Sequence, residues 1–339
     1  MKLANLLALT AAPFALLAAN PVAAQDHAGH AGHAEKAAPA TKGPALWKVA
    51  DKDTTIYLFG TVHVLPKGMD WYDATIANAL EGSQTLVTEI PMDPASEAAM
   101  QQLAMQRGAL PTGTTLRSLL TEEQRTQYSA ALTKLGGKIE TQQLAAAPAE
   151  ARAQYEAAKA QGLVPPPADA LATSFDPLKP WMVGLTFSIL PLTLEGYDPN
   201  SGVEKVLMSK VPGKETGALE TAEFQLGVFD GLAQDAQISF MMEAANGIDE
   251  VKPMLDSMVA EWAEGDAEGL AAIMNEGMND PAVAEALLYK RNANWADWID
   301  TRLDTPGTVF IAVGAGHLAG EKSVQDYLAK KGIKVTRVK

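Results

Sequence analysis

Two apolar runs at opposite ends of the chain lead into the same frame. Ile56-Tyr57-Leu58-Phe59 precedes Gly60-Thr61-Val62-His63, and Val309-Phe310-Ile311-Ala312-Val313 precedes Gly314-Ala315-Gly316-His317. Short apolar runs rich in β-branched and aromatic residues and stopped by glycine read as buried strands. Each frame therefore delivers a histidine where a strand ends. The sequence holds 5 histidines, and these two are the ones that lie beyond the N-terminal segment. A shared frame in a histidine-poor chain points to one site built from both ends.

The rest of the chain fills in the architecture. Leu46-Trp47-Lys48-Val49 and Thr55 to Gly60, separated by Asp51-Lys52-Asp53, read as a hairpin, followed by a helix from about Tyr72 to Glu81 and a strand from Thr85 to Ile90 stopped by Pro91. Helical patterns then follow over Ala95 to Gln106, over Thr121 to Leu135 with a capping box at Thr121 and Gln124, and over Ala145 to Lys159. Pro165-Pro166-Pro167 is a hard break, before helices at Lys179 to Leu194 and Val203 to Lys210. Glu215 to Glu220 reads as a short strand, and helices return from Ala222 to about Leu303. Strand Val309 to Val313, helix Lys322 to Lys331, the stop signal Gly332 and strand Ile333 to Val338 close the chain. Strands cluster at the two ends. The expected fold is α/β, a central mixed sheet built from N- and C-terminal segments with a largely helical cap, about residues 92–210, inserted between them in a domain spanning 45–339.

Composition narrows the function classes. Formal charge is -14, so the surface repels nucleic acid and anionic lipid. With 0 cysteines there is no disulfide, no thiolate metal site, no cysteine nucleophile and no lipoprotein anchor. Residues 1–24 have the layout of a secretory signal: Lys2, an apolar stretch from Leu3 to Ala19, and Val22-Ala23-Ala24 before Gln25. Cleavage is expected after Ala24, giving a periplasmic or secreted protein without a membrane helix. Residues 25–44 form an Ala-, Gly- and Lys-rich tail expected to be disordered. Its His27, His30 and His33 are read as part of a solvated linker, although spaced histidines can also chelate Zn, Cu or Ni.

In open α/β sheets, ligands bind beyond the carboxyl ends of parallel strands. His63, Glu89, Glu220 and His317 all fall at such ends. Two neutral imidazoles and two carboxylates suit a divalent cation, Mn, Co or Zn. Either glutamate can be ligand or general base, and either can also serve as an ordinary cap or ion-pair carboxylate. Gly60, Gly314 and Gly316 fit sharp turns or close backbone approach. Arg291 lies on the apolar face marked by Ala284, Leu287, Leu288, Trp295, Trp298 and Ile299 in a helix from Pro281 to Leu303. There it pairs with Glu89, Glu220 or a substrate carbonyl, or it buries its stem and reaches water. Asn292 faces another way and is left a capping or orienting role.

Tyr57 to Leu65, Leu219-Glu220-Thr221 with Glu223-Phe224-Gln225, Arg291-Asn292 followed by Trp295, and Val313 to Leu318 resemble, in order, the TraB/PrgY/GumN family, whose animal members are the TIKI proteases. The resemblance covers nearly all of Leu46 to Val338, apart from a variable stretch at about Gly136 to Ser174 and the histidine tail. It implies a metal-dependent hydrolase with paired GxxH motifs, carried here by His63, His317, Glu89 or Glu220, and Arg291. It implies Mn or Co as the metal, with Zn also admissible.

The expected function is therefore an exported metal-dependent hydrolase, acting on peptide or protein substrates in the envelope. The cation would activate water, one glutamate would serve as base, and Arg291 would stabilise the oxyanion. HExxH is absent, so the chain is not a standard zincin. The alternative is a non-catalytic periplasmic binding protein that sequesters a peptide, metal or haem in the same cleft. Polysaccharide handling has little support, because aromatics make up 6% of the chain and several fall in helical core stripes.

Overall fold

The computed structural model describes residues 43–277 and 284–339. The expected signal segment and its expected cleavage point after Ala24, the residues His27, His30 and His33, and the expected helix start at Pro281 lie outside the described residues.

The hairpin forms as read, β1 (Leu46–Ala50) pairing antiparallel with β2 (Thr54–Thr61). Strands β4 (Thr85–Thr88), β6 (Glu215–Ala218) and β7 (Gly307–Gly314) join β2 in parallel, and β8 (Val335–Arg337) pairs antiparallel with β1. The resulting order is β6-β4-β7-β2-β1-β8, a mixed sheet in which the first and last segments of the domain are neighbours. A separate ribbon pairs β3 (Leu65–Pro66) with β5 (Tyr197–Asp198).

Successive side chains of a strand face opposite ways, and parallel strands covered on both faces are apolar throughout. In β2, Ile56 and Leu58 join the core on one face of the sheet, while Phe59 joins the core on the other. In β7, Val309, Ile311 and Val313 take the first face, and Phe310 and Ala312 the second. The first face is covered by Trp295, Ala296 and Ile299 of α12 (Lys290–Leu303) and by Val324 and Leu328 of α13 (Val324–Lys330). The second face is covered by α1 (Ala74–Glu81), α10 (Val251–Glu264) and α11 (Ala267–Gly277).

Between β4 and β6 the chain inserts helices α2 (Pro94–Gly108), α3 (Glu122–Ala146), α4 (Ala149–Ala160), α5 (Pro167–Phe175), α6 (Pro180–Leu194) and α7 (Val203–Lys210). After β6 come α8 (Ala222–Asp230) and α9 (Gln234–Asn246). The inserted helices span 94–210, and α9 extends the helical layer by packing on α6. The reason is compositional: Trp181, Met182, Val183, Leu185, Phe187, Ile189 and Leu192 make α6 apolar all round, so it must be covered on every side.

Several boundaries differ from expectation for local reasons. The helix expected to stop at Leu135 continues to Ala146, because Tyr128, Ala131, Leu132, Leu135 and Ile139 keep one face on the core and packing outweighs the low propensity of Gly136 and Gly137. The capping box at Thr121 and Gln124 forms, and the prolines at 165–167 separate α4 from α5. The helix expected from Lys322 begins at Val324, since Lys322 adopts φ 56° and Ser323 provides the cap. Gly332 ends the following turn at φ 77°. Both strands expected to reach the glutamates stop short, β4 at Thr88 and β6 at Ala218, so that Glu89 and Glu220 lie just past the strand ends.

No described helix is long and apolar enough to cross a membrane.

Candidate functional site

The register of the four parallel strands decides where the candidate residues meet. Thr61 lies beside Gly314, Ala312 beside Thr88, and Thr88 beside Ala218. His63, Glu89, Glu220 and His317 therefore leave the sheet along one carboxyl edge. Beyond the strand ends, Glu220 N–H still donates to the Glu89 carbonyl at 2.8 Å. Gly60 permits the closeness of the two histidine frames, because a Cβ there would stand 3.0 Å from the Ala315 Cα.

Arg291 lies at the centre of this edge and is 2% exposed. Its Nη2 donates to Glu89 Oε2 at 2.5 Å and to Glu220 Oε2 at 2.9 Å, and its Nε donates to Glu220 Oε1 at 2.8 Å. Nη1 donates to the Leu287 carbonyl at 3.1 Å and lies 3.2 Å from His317 Nε2. Burial disfavours its charge, but Glu89 and Glu220 outweigh that and hold the guanidinium protonated. A π-turn over Glu285–Tyr289 runs directly into α12 and sets Arg291 on its buried face.

The two carboxylates are further fixed. Glu89 Oε1 accepts from Gly314 N–H at 2.8 Å, and its Oε2 accepts from Gln225 Nε2 at 2.8 Å. Glu220 Oε1 accepts from Trp295 Nε1 at 2.9 Å. Burial raises the pKa of the Glu220 carboxyl; Arg291 counters this and the Glu89 charge adds to it.

His317 is fully buried and oriented from several sides. Arg291 can only donate, so Nε2 carries the lone pair and Nδ1–H faces Asn292 Oδ1 at 2.6 Å. Asn292 is anchored in turn by donating to the Lys322 carbonyl at 2.9 Å. The Trp295 ring lies 4.3 Å from the imidazole, centroid to centroid. Burial, then the charges of Arg291 and His63, keep His317 neutral well below the ordinary histidine range.

His63 has a different environment. Its Nδ1 is 2.6 Å from Glu204 Oε1, and that oxygen also accepts from Thr61 Oγ1 at 2.5 Å. Burial works against charge on the imidazole, but Glu204 overcomes it and holds the pKa above the ordinary value. Glu204 answers in the opposite direction: burial raises its pKa, and His63 and Thr61 bring it below the usual carboxylate value. Among the described residues, Nδ1 meets Glu204 as a close ion-pair contact rather than an aligned hydrogen bond, and Nε2 is buried with no hydrogen-bond partner.

The structure thus brings together all five residues singled out in the sequence, His63, Glu89, Glu220, Arg291 and His317. Asn292, given only a capping or orienting role, is buried and holds His317. Glu204, Thr61 and the donor roles of Gln225 and Trp295 escaped sequence reasoning. For Glu204 there was a signal: it stands beside Val203 and one turn from Leu207, and these three are the buried residues of α7.

A metal ion can be weighed against these donors. By type they fit, being imidazoles and carboxylates, and His63 Nε2 is an orphaned buried atom on the same edge. In the arrangement described, the lone pairs of Glu89, Glu220 and His317 are engaged by Arg291. Among the described residues no group of three or more His, Asp or Glu side chains is set to hold a metal ion.

No curated protein and no solved structure matches the chain. The TraB/PrgY/gumN family model matches residues 45–337, which takes in the whole sheet and every residue of the site, and the chain belongs to that family.

Proposed function

We propose that the protein is a metal-dependent hydrolase, acting on peptide or protein substrates in the envelope after export. The observation that carries the reading is the unpartnered, buried Nε2 of His63 on the same sheet edge as His317, Glu89 and Glu220. His63, His317 and Glu89 would hold a divalent cation, Mn or Co and also Zn; Glu89 is assigned here because its Oε1 is 3.9 Å from His317 Nε2. When bound, the ion would lower the pKa of water and polarise the scissile carbonyl. Glu220, whose carboxyl pKa burial raises above the ordinary carboxylate value, would serve as the proton acceptor. Arg291 would release part of its hydrogen-bonding capacity from the carboxylates and donate to the developing oxyanion. Asn292 keeps His317 in the tautomer that presents Nε2, and the Trp295 ring packs against the imidazole.

The test is a peptide-library cleavage screen with Mn2+, Co2+ and Zn2+. Products are expected in the presence of metal, and none from His63→Ala or His317→Ala. Glu220→Gln is expected to lower kcat by about 10²- to 10⁴-fold, the usual worth of a general base. Full activity in both histidine variants would exclude this mechanism.

One observation favours a second reading. Arg291 already satisfies both carboxylates and His317, as expected of an edge that captures a ligand without turnover. Stoichiometric capture of a library peptide, with no product after prolonged incubation, would select it over the enzyme.

A further inference from the structure

Glu204 does not belong to the sheet. It comes from the first turn of α7, inside the helical insertion, and the residue is 3% exposed. A buried carboxylate needs strong partners, and those it has are His63 Nδ1 and Thr61 Oγ1, both at the end of β2. The backbone holds the pair together as well: Val203 N–H donates to the Val62 carbonyl at 3.0 Å, and a Cβ at Gly202 would stand 2.2 Å from the His63 carbonyl oxygen. The segment Gly202-Val203-Glu204 is thus packed against Val62-His63 with no room between them. A carboxylate in the first turn of a helix is also favoured by the helix dipole, which helps keep it ionised.

We propose that Glu204 is the positioning residue of His63: with Thr61 holding its carboxylate, it engages Nδ1 and fixes the imidazole so that Nε2 is presented at the site. The consequence for metal binding rests on the reading of His63 as a ligand. Outer carboxylates that hold a ligating imidazole fix its tautomer and raise its basicity, and losing one costs about 10- to 100-fold in metal affinity. Asn292 performs the equivalent task for His317 with a neutral amide. The two imidazoles of the site are therefore tuned differently, one by a carboxylate and one by an amide.

The experiment uses the full chain carrying His27→Ala, His30→Ala and His33→Ala, which leaves His63 and His317 as its two histidines. Histidine-labelled, metal-free protein is observed by nitrogen and proton NMR, and Mn2+ or Co2+ is titrated separately. Glu204→Gln, which keeps the shape and removes the charge, is expected to move the His63 Nδ1 proton upfield and leave the His317 signals in place. It is expected to weaken metal binding by about 10- to 100-fold. Thr61→Val should move the same signal in the same direction by less, and it supplies the readout if Glu204→Gln fails to fold. An unmoved His63 signal in a folded Glu204→Gln or Thr61→Val protein overturns the proposal. A silent metal titration of the parent alongside a moved His63 signal would reject the metal reading and leave the positioning role standing.

Discussion

A guanidinium buried to 2% exposure cannot be left without anions, and Arg291 has two of them, Glu89 and Glu220, in a clamp that spans two strand ends. Removing one member of a buried ion cluster strands the others, which costs about 3–5 kcal/mol. Arg291→Met is therefore expected to lower the unfolding free energy by about 3–5 kcal/mol in chemical denaturation, with Glu89 and Glu220 left facing each other. A loss below about 1 kcal/mol, the worth of an exposed pair, would contradict the clamp. At this scale the sequence was informative where chemistry sits at a strand end. His63, Glu89, Glu220 and His317 could be named because a strand must release its chain at the sheet edge, and Arg291 because a charge on an apolar helical face needs an anion. Glu204 could not be paired from sequence, since it lies 143 residues beyond the threonine that holds it and nothing local links the two.

Among the elements, α7 ties the helical insertion to the site through Glu204. Its entry is steric: Gly202 has ordinary negative φ, -55°, so the need for glycine comes from the His63 carbonyl pressed against it rather than from backbone strain. Gly202→Ala must push α7 away from the end of β2. The expected result is a loss of about 1–3 kcal/mol of stability, the usual cost of overpacking, together with weakened metal binding because Glu204 and His63 are drawn apart. Unchanged stability and unchanged binding would mean that the insertion docks loosely there. The π-turn before Arg291 and the length of α3 were not legible for the same physical reason. Both depend on what the helix packs against, and local propensity at Gly136 and Gly137 argued for a break that the core contacts of Tyr128, Leu132 and Ile139 override.

Across the whole molecule, function follows from strand order. Placing β7 between β4 and β2 makes neighbours of residues from the two ends of the domain, and parallel alignment directs His63, Glu89, Glu220 and His317 to one edge, where α12 brings Arg291. The continuous apolar runs of β2 and β7 identified buried strands, but they carry no information on which strand lies beside which. That order is set by the crossovers of α1, the helical insertion and α8 to α12, and so it became visible only in the assembled fold. The central claim is that His63 and His317 form one shared metal centre. Its most direct test is calorimetric titration of Mn2+, Co2+ and Zn2+ into the full chain carrying His27→Ala, His30→Ala and His33→Ala, beside the same protein with His63→Ala or His317→Ala. One site present in the parent and lost in both variants is the predicted result; no binding, or binding that neither substitution disturbs, would contradict the account.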